Sequence, residues 1–143
     1  MTAEANRIHL RLGNDQRLLA AASSAVAWIA GRAGLESAAQ ADLVAAVEEA
    51  SRDTFPLLPK EAPLLDINVE KLDDRVEVTL EHRGAARPAA GLESFTAGGQ
   101  GLAGGASGLS LLSRVDRVQY VSERGTSKTT LIKYLRPLDT ETP

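Results

Sequence analysis

Glu49 and Asp53 stand four residues apart in "LVAAVEEASRDTF", a segment of helical character. On a helix that spacing stacks two carboxylates one turn apart on one face. Two carboxylates there repel unless something positive or catalytic sits between them, so a metal site or an acid/base site is one reading. The pair is equally the ordinary look of a solvated helix face, and residue type and spacing alone leave both readings open. The second stretch with chemical potential is "GGQGLAGGASGLSLL", which runs into a helix start at about Ser107–Gly108. Backbone N–H groups of a glycine-rich loop, with a helix dipole behind them, favour phosphate. A flexible surface loop is the plainer reading of the same residues. The stretch lacks G-x-x-x-x-G-K-[ST], which excludes a P-loop. It also does not stand early between parallel strands, as a dinucleotide fingerprint requires.

Bulk composition removes several other classes. The 143 residues suffice for one domain with a proper core, and a single domain over 1–143 is expected. The formal net charge of −3 gives no electrostatic reason to expect direct nucleic-acid binding or an anionic membrane. Absence of cysteine excludes disulfides and thiolate zinc sites, and two histidines are too few for a histidine-rich metal centre. No apolar run reaches the roughly 18–20 residues of a membrane span. The opening "MTAEANRIHLRLGNDQR" lacks the apolar core of a signal peptide, so a cytoplasmic location is expected. Aromatic residues make up only 3%, so the core must be built from Leu, Val, Ile and Ala.

The elements that must position the carboxylates and the glycine loop read as follows. "RIHLRL" (7–12) alternates and predicts a short strand with Ile8, Leu10 and Leu12 on one face. Asn14 or Asp15 can cap a helix reaching about Arg32, with an apolar stripe of Leu18, Leu19, Ala22, Val26, Ile29 and Ala33. Gly34 is a natural left-handed stop. Ser37 with Gln40 reads as a capping box for a second helix over about 38–54, buried through Leu43, Ala46, Val47 and Ala50 and ended by Pro56 and Pro59. "LLDINVEK" and "RVEVTLEH" predict an antiparallel hairpin around "LDD", with Leu65, Ile67, Val69 and Val76, Val78, Leu80 on its buried face. From Gly84 to Gly108 the chain holds eight of its 12 glycines without periodicity, which predicts a long mobile loop. A short helix over 108–115, a second hairpin around "RGT" and a polar, frayed tail over 136–143 complete the chain. Helices and strands segregate, which predicts an α+β two-layer sandwich: a mainly antiparallel sheet with helices on one face.

Order and local motifs together resemble the anti-sigma-factor serine kinases of bacterial partner-switching systems, within the GHKL superfamily of histidine-kinase-like ATPases. The resemblance spans about Arg7 to Leu135. Glu49-Ala50-Ser51-Arg52-Asp53 looks like the family's E-A-x-x-N box, and "VEVTLEHRGAARP" like its strand ending in D-x-G before a proline. "GASGLSLLSRVDRVQYV" is similar to its second glycine box, and "SERGTSKTTLIKYL" to its closing hairpin. The resemblance implies ATP and Mg²⁺ as cofactors and Glu49 as general base toward a protein serine. Asp53 would be the metal ligand in place of the family's asparagine, and residues 84–107 a lid over the phosphates. It further implies nucleotide contacts at His82, Gly84, Gly104, Gly105, Ser107, Gly108 and Leu109. His82 stands where the family reads adenine with an aspartate, and a neutral imidazole offers only one acceptor lone pair. The implied partners are a sigma factor and an anti-anti-sigma protein, with a homodimer as is common among relatives. Two readings follow: a kinase that phosphorylates a serine of the anti-anti-sigma partner, or a catalytically inactive relative acting only by protein–protein binding. An α+β domain that binds a small ligand or serves structure, unrelated to signalling, is the reading from another class.

Remaining residues are assigned more plainly. Trp28 is expected to fill the core. His9 is expected on the face away from the buried side, with no chemistry. Arg83 and Arg87 are solvated loop cations with phosphate contact as the minority reading. Ser107, Ser110 and Ser113 carry no nucleophile signature, because sequence places no base beside them.

Overall fold

The computed structural model describes residues 6–84 and 105–135, with side chains of the second stretch from 110 onward. The expected mobile loop, apart from its two ends, and the frayed tail lie outside the described residues. Five strands and three helices follow one another: β1 (Arg7–Gly13), α1 (Leu19–Ala33), α2 (Ser37–Thr54), β2 (Leu64–Lys71), β3 (Arg75–Arg83), α3 (Gly105–Arg114), β4 (Arg117–Glu123) and β5 (Thr126–Tyr134). The sheet order is β1-β2-β3-β5-β4, and every neighbouring pair is antiparallel. The long excursion between β3 and α3 therefore returns the chain so that β5, rather than β4, joins β3.

Strand alternation decides which face is covered. Leu65, Ile67 and Val69 on β2 and Val76, Val78 and Leu80 on β3 are buried, while the residues between them are only partly so. Cross-strand register extends this face through Val69, Val78, Leu131 and Val118. The helices lie against it, α1 over β1, β2 and β3, α2 over β5, and α3 over β4. The opposite face carries charge: Asp66 on β2 accepts from Arg11 Nε at 2.9 Å and from His9 Nε2 at 3.1 Å, both on neighbouring β1. Each large aliphatic side chain taken from water contributes about 1.5–3 kcal/mol. The Leu, Ile, Val and Ala core is thus the main source of stability, as the low aromatic content requires.

Local chemistry sets the element ends. Asp15 accepts from the Arg17 N–H at 2.9 Å and opens a single 3-10 turn, Gln16–Leu18, that leads into α1. Leu18 therefore precedes the helix and is 39% exposed. Gly34, with φ of +95°, ends α1: its N–H reaches the Gly31 carbonyl at 3.1 Å and the Leu35 N–H reaches that of Ala30 at 3.1 Å. That is a Schellman closure, and buried Leu35 supplies its hydrophobic contact. Arg124 and Gly125, at φ of 56° and 77°, make the β4–β5 turn, whose positive angles match the twist of a tight hairpin.

Three expectations need correcting. The capping box of Ser37 and Gln40 does not form, because α2 begins one residue earlier and Ser37 is already helical. Glu36 is the N-cap without a side-chain bond, and Gln40 Nε2 instead donates to the Leu35 carbonyl at 2.9 Å. α3 begins at Gly105 rather than 108, since glycines at 105 and 108 lower helix propensity without preventing a helix. Trp28 is not a core residue. It lies about 200° around the helix from Val26, is 48% exposed, and carries the Arg32 guanidinium 4.9 Å above its ring.

Candidate functional site between the second and third helices

α2 buries Leu43, Ala46, Val47, Ala50, Ser51 and Thr54. The residues beside this stripe, Asp42, Glu49 and Asp53, are partly buried along its flank. α3 packs against α2 and inserts Leu111 into the common core. This docking brings Ser110 to Glu49: the Ser110 hydroxyl donates to Glu49 Oε1 at 3.0 Å. Arg114, one turn further along α3, has its Nε 4.0 Å from the same oxygen and Nη1 3.9 Å from Asp42 Oδ1. At 4.0 Å the Nε contact is one of charge and not a hydrogen bond. Consistently, that nitrogen is buried with no hydrogen-bond partner. Lys133 Nζ donates to the Arg114 carbonyl at 3.0 Å and ties the end of α3 to β5.

Sequence reasoning missed Ser110 as a partner of the acid because the two residues are 61 positions apart. The only available signal was the rule that Ser110 and Arg114, four apart, share a helix face.

The second part of the site is the end of β3. His82 continues the inward series of Val76, Val78 and Leu80 and is 7% exposed. Its Nδ1 lies 2.8 Å from the Arg83 carbonyl oxygen. A carbonyl can only accept, so that nitrogen carries the proton, and in the neutral ring the remaining lone pair is on Nε2. Glu81 points to the other face, as strand alternation requires. Gly84 has φ of +101°, donates its N–H to the Gly125 carbonyl at 2.7 Å, and accepts from the Ser127 hydroxyl at 3.0 Å. The strand end is thus held against the β4–β5 turn. A Cβ at Gly84 would meet Pro59 at an ordinary 3.8 Å, so the backbone angle and not crowding calls for glycine there.

Of the other sequence candidates, Gly105, Ser107, Gly108 and Leu109 form the first turns of α3. The first four N–H groups of a helix lack intrahelical acceptors and so are free to meet an anion. Gly104 and Arg87 lie outside the described residues. Arg83 is exposed at the end of β3. Among the described residues no three His, Cys, Asp or Glu side chains cluster as a metal cage. A cavity of about 560 Å³ lies by the first turns of α2, lined by Leu35, Glu36 and Tyr134 among others, and by Asp42 and Lys133, which also meet Arg114. It is remote from His82, which pairs with Ser127 six residues from Lys133 along β5.

Elements and site together define a two-layer α/β sandwich, with one face of an antiparallel sheet covered by helices and a carboxylate-bearing helix beside a glycine-led one. No family model and no curated protein matches the chain. Among solved structures it is similar to the one described as the crystal structure of the RsbU and RsbW domains of Rv1364c from Mycobacterium tuberculosis, with a TM-score of 0.66 and 14% identity. The match covers 93% of this chain and 33% of that one, so the chain spans about a third of the length of the structure it matches. At that identity the shared property is the fold, and it bears out the α+β architecture expected from sequence. Among the described residues no helix is long and apolar enough to cross a membrane.

Proposed function

We propose that this chain is an anti-sigma-type regulator of a bacterial partner-switching pathway, binding ATP with Mg²⁺ beside α2 and phosphorylating a serine of an anti-anti-sigma protein. The fold neighbour contains an RsbW domain, and RsbW is a GHKL-type anti-sigma kinase. The observation that carries the reading is the Glu49 carboxylate meeting a serine hydroxyl at 3.0 Å, the reach required of a general base. In this reading Glu49 takes the proton of the attacking hydroxyl. Asp53, one turn on, would hold the metal, whose charge would offset that of the phosphoryl group. The first-turn N–H groups of α3 contact phosphate, and Arg114 balances the added negative charge. His82 faces the base through Nε2.

One observation favours a second reading, a catalytically inactive relative that works only by protein–protein binding. His82 commits Nδ1 to its own chain at 2.8 Å and keeps a single acceptor where an aspartate has two oxygens. Isothermal titration with ATP and ADP in Mg²⁺ separates the two. Mg²⁺-dependent heats and phosphorylated partner support the kinase, while partner capture without nucleotide heats supports the binding protein.

A further inference from the structure

Ser110 and Glu49 already have the geometry of a nucleophile and its base: hydroxyl and carboxylate within hydrogen-bond reach, supplied by two helices of one chain. Arg114 adds a cation whose buried Nε is 4.0 Å from the same carboxylate oxygen and has no hydrogen-bond partner. A substrate serine of another protein must first dock beside this carboxylate, whereas Ser110 already lies within hydrogen-bond reach of it. We propose that Ser110 is itself a phosphoryl acceptor, modified within its own chain with Glu49 as base. The inference rests on the site holding a nucleoside triphosphate. Ser110 Oγ attacks the terminal phosphorus, and the new O–P bond forms as the bridging P–O bond to the diphosphate breaks. The hydroxyl proton passes to Glu49 and then to solvent, leaving phosphoserine and the nucleoside diphosphate. The product carries a charge of about −1.5 to −2 beside Glu49. Like-charge repulsion then replaces the hydrogen bond that joins α3 to α2, while Arg114 gains a phosphate partner. Modification thereby loosens the contact that occupies the base.

The test incubates the full chain with Mg²⁺ and ATP, follows intact mass, and maps the modified peptide, with ATP titration run in parallel. The expected result is gain of one phosphoryl group at Ser110, with a first-order rate independent of protein concentration. Ser110→Ala abolishes the gain, and Glu49→Gln lowers its rate by about 10²- to 10⁴-fold. Ser113→Ala, on an exposed position of the same helix, keeps it. Glu49→Gln preserves the shape and an acceptor oxygen, and thermal unfolding of each variant verifies folding beforehand. A readout without nucleotide comes from Ser110→Glu, which sets a carboxylate against Glu49 and is expected to melt below Ser110→Ala. ATP binding with Ser110 unmodified, or modification at an undiminished rate in Glu49→Gln, overturns this proposal alone. Absence of ATP binding overturns it together with the nucleotide reading.

Discussion

Ser110 on α3 donates its hydroxyl to Glu49 on α2 at 3.0 Å, and this bond crosses the helix–helix contact at the point where the candidate base sits. It joins structure to chemistry, because whatever frees Glu49 also loosens α3. A partly exposed hydrogen bond to a carboxylate contributes about 1 kcal/mol. Urea unfolding of wild type, Ser110→Ala, Glu49→Ala and the double variant should therefore give a coupling energy of about 0.5–1.5 kcal/mol. Additive effects of the two substitutions would show that the contact does not persist in solution.

The open sheet face makes a pH prediction through Asp66. Burial pushes its carboxyl up, but hydrogen bonds from Arg11 and His9 together with their charge outweigh this and hold it below the ordinary 3.8. A folded-state pKa below the unfolded one contributes stability above the unfolded value, lost as pH falls through the folded one. Asp66→Asn should consequently lower the melting temperature at neutral pH by on the order of 2 °C. The difference should shrink steadily as pH falls below about 4. An undiminished difference in acid would mean that packing and not charge is responsible.

Two glycines near the end of α1 should respond oppositely to alanine. Gly34 has φ of +95°, where a Cβ costs about 1–2 kcal/mol, so Gly34→Ala should destabilise by that amount. Gly31 is helical, and a Cβ there would meet only the Gln40 side chain, at 3.8 Å. Gly31→Ala should stabilise by about 0.5–1 kcal/mol through reduced unfolded-state entropy. Chemical denaturation reads both signs in one experiment.

Strong periodicity made the sheet and the first two helices legible. Leu65, Ile67 and Val69 could hardly face anywhere but inward, and Gly34 marked its own stop. Sequence was weaker where two local rules competed, as at Ser37, whose capping chemistry gave way to a helix beginning one residue sooner. Trp28 shows how hydrophobicity misleads without angle: large and apolar, it still points outward. Across the site, Glu49 and His82 could be proposed individually from their segments. The partnership of Glu49 with Ser110 could not, since it depends on how α3 docks on α2 after a long excursion of the chain. The His82–Arg83 bond was likewise illegible, because which ring nitrogen meets a carbonyl is a matter of side-chain rotation and not of residue order.

The remaining prediction follows from His82 under the proposed function. Its ring is buried, its Nδ1 is held 2.8 Å from the Arg83 carbonyl, and a neutral ring has only Nε2 left to accept from a base amine. Binding of ATP should then be weak, because losing one good hydrogen bond at a base-reading position costs about 1–3 kcal/mol. Restoring a carboxylate with His82→Asp should tighten ATP binding by roughly 5- to 150-fold, the same free energy expressed as affinity. Binding of GTP should not gain equally, since guanine offers a carbonyl oxygen where adenine offers its amine, and a carboxylate repels it. Asp53→Ala should remove the Mg²⁺ dependence while leaving base selectivity alone, because metal and base contacts lie on different elements, α2 and β3. Titration calorimetry with and without Mg²⁺ on wild type and the two variants reads all of this. Tight ATP binding by wild type that is unchanged by His82→Asp would remove His82 from base recognition. No nucleotide binding by either protein would leave Glu49 and Asp53 as a charged flank of α2, and the contact between α2 and α3 as an element of structure alone.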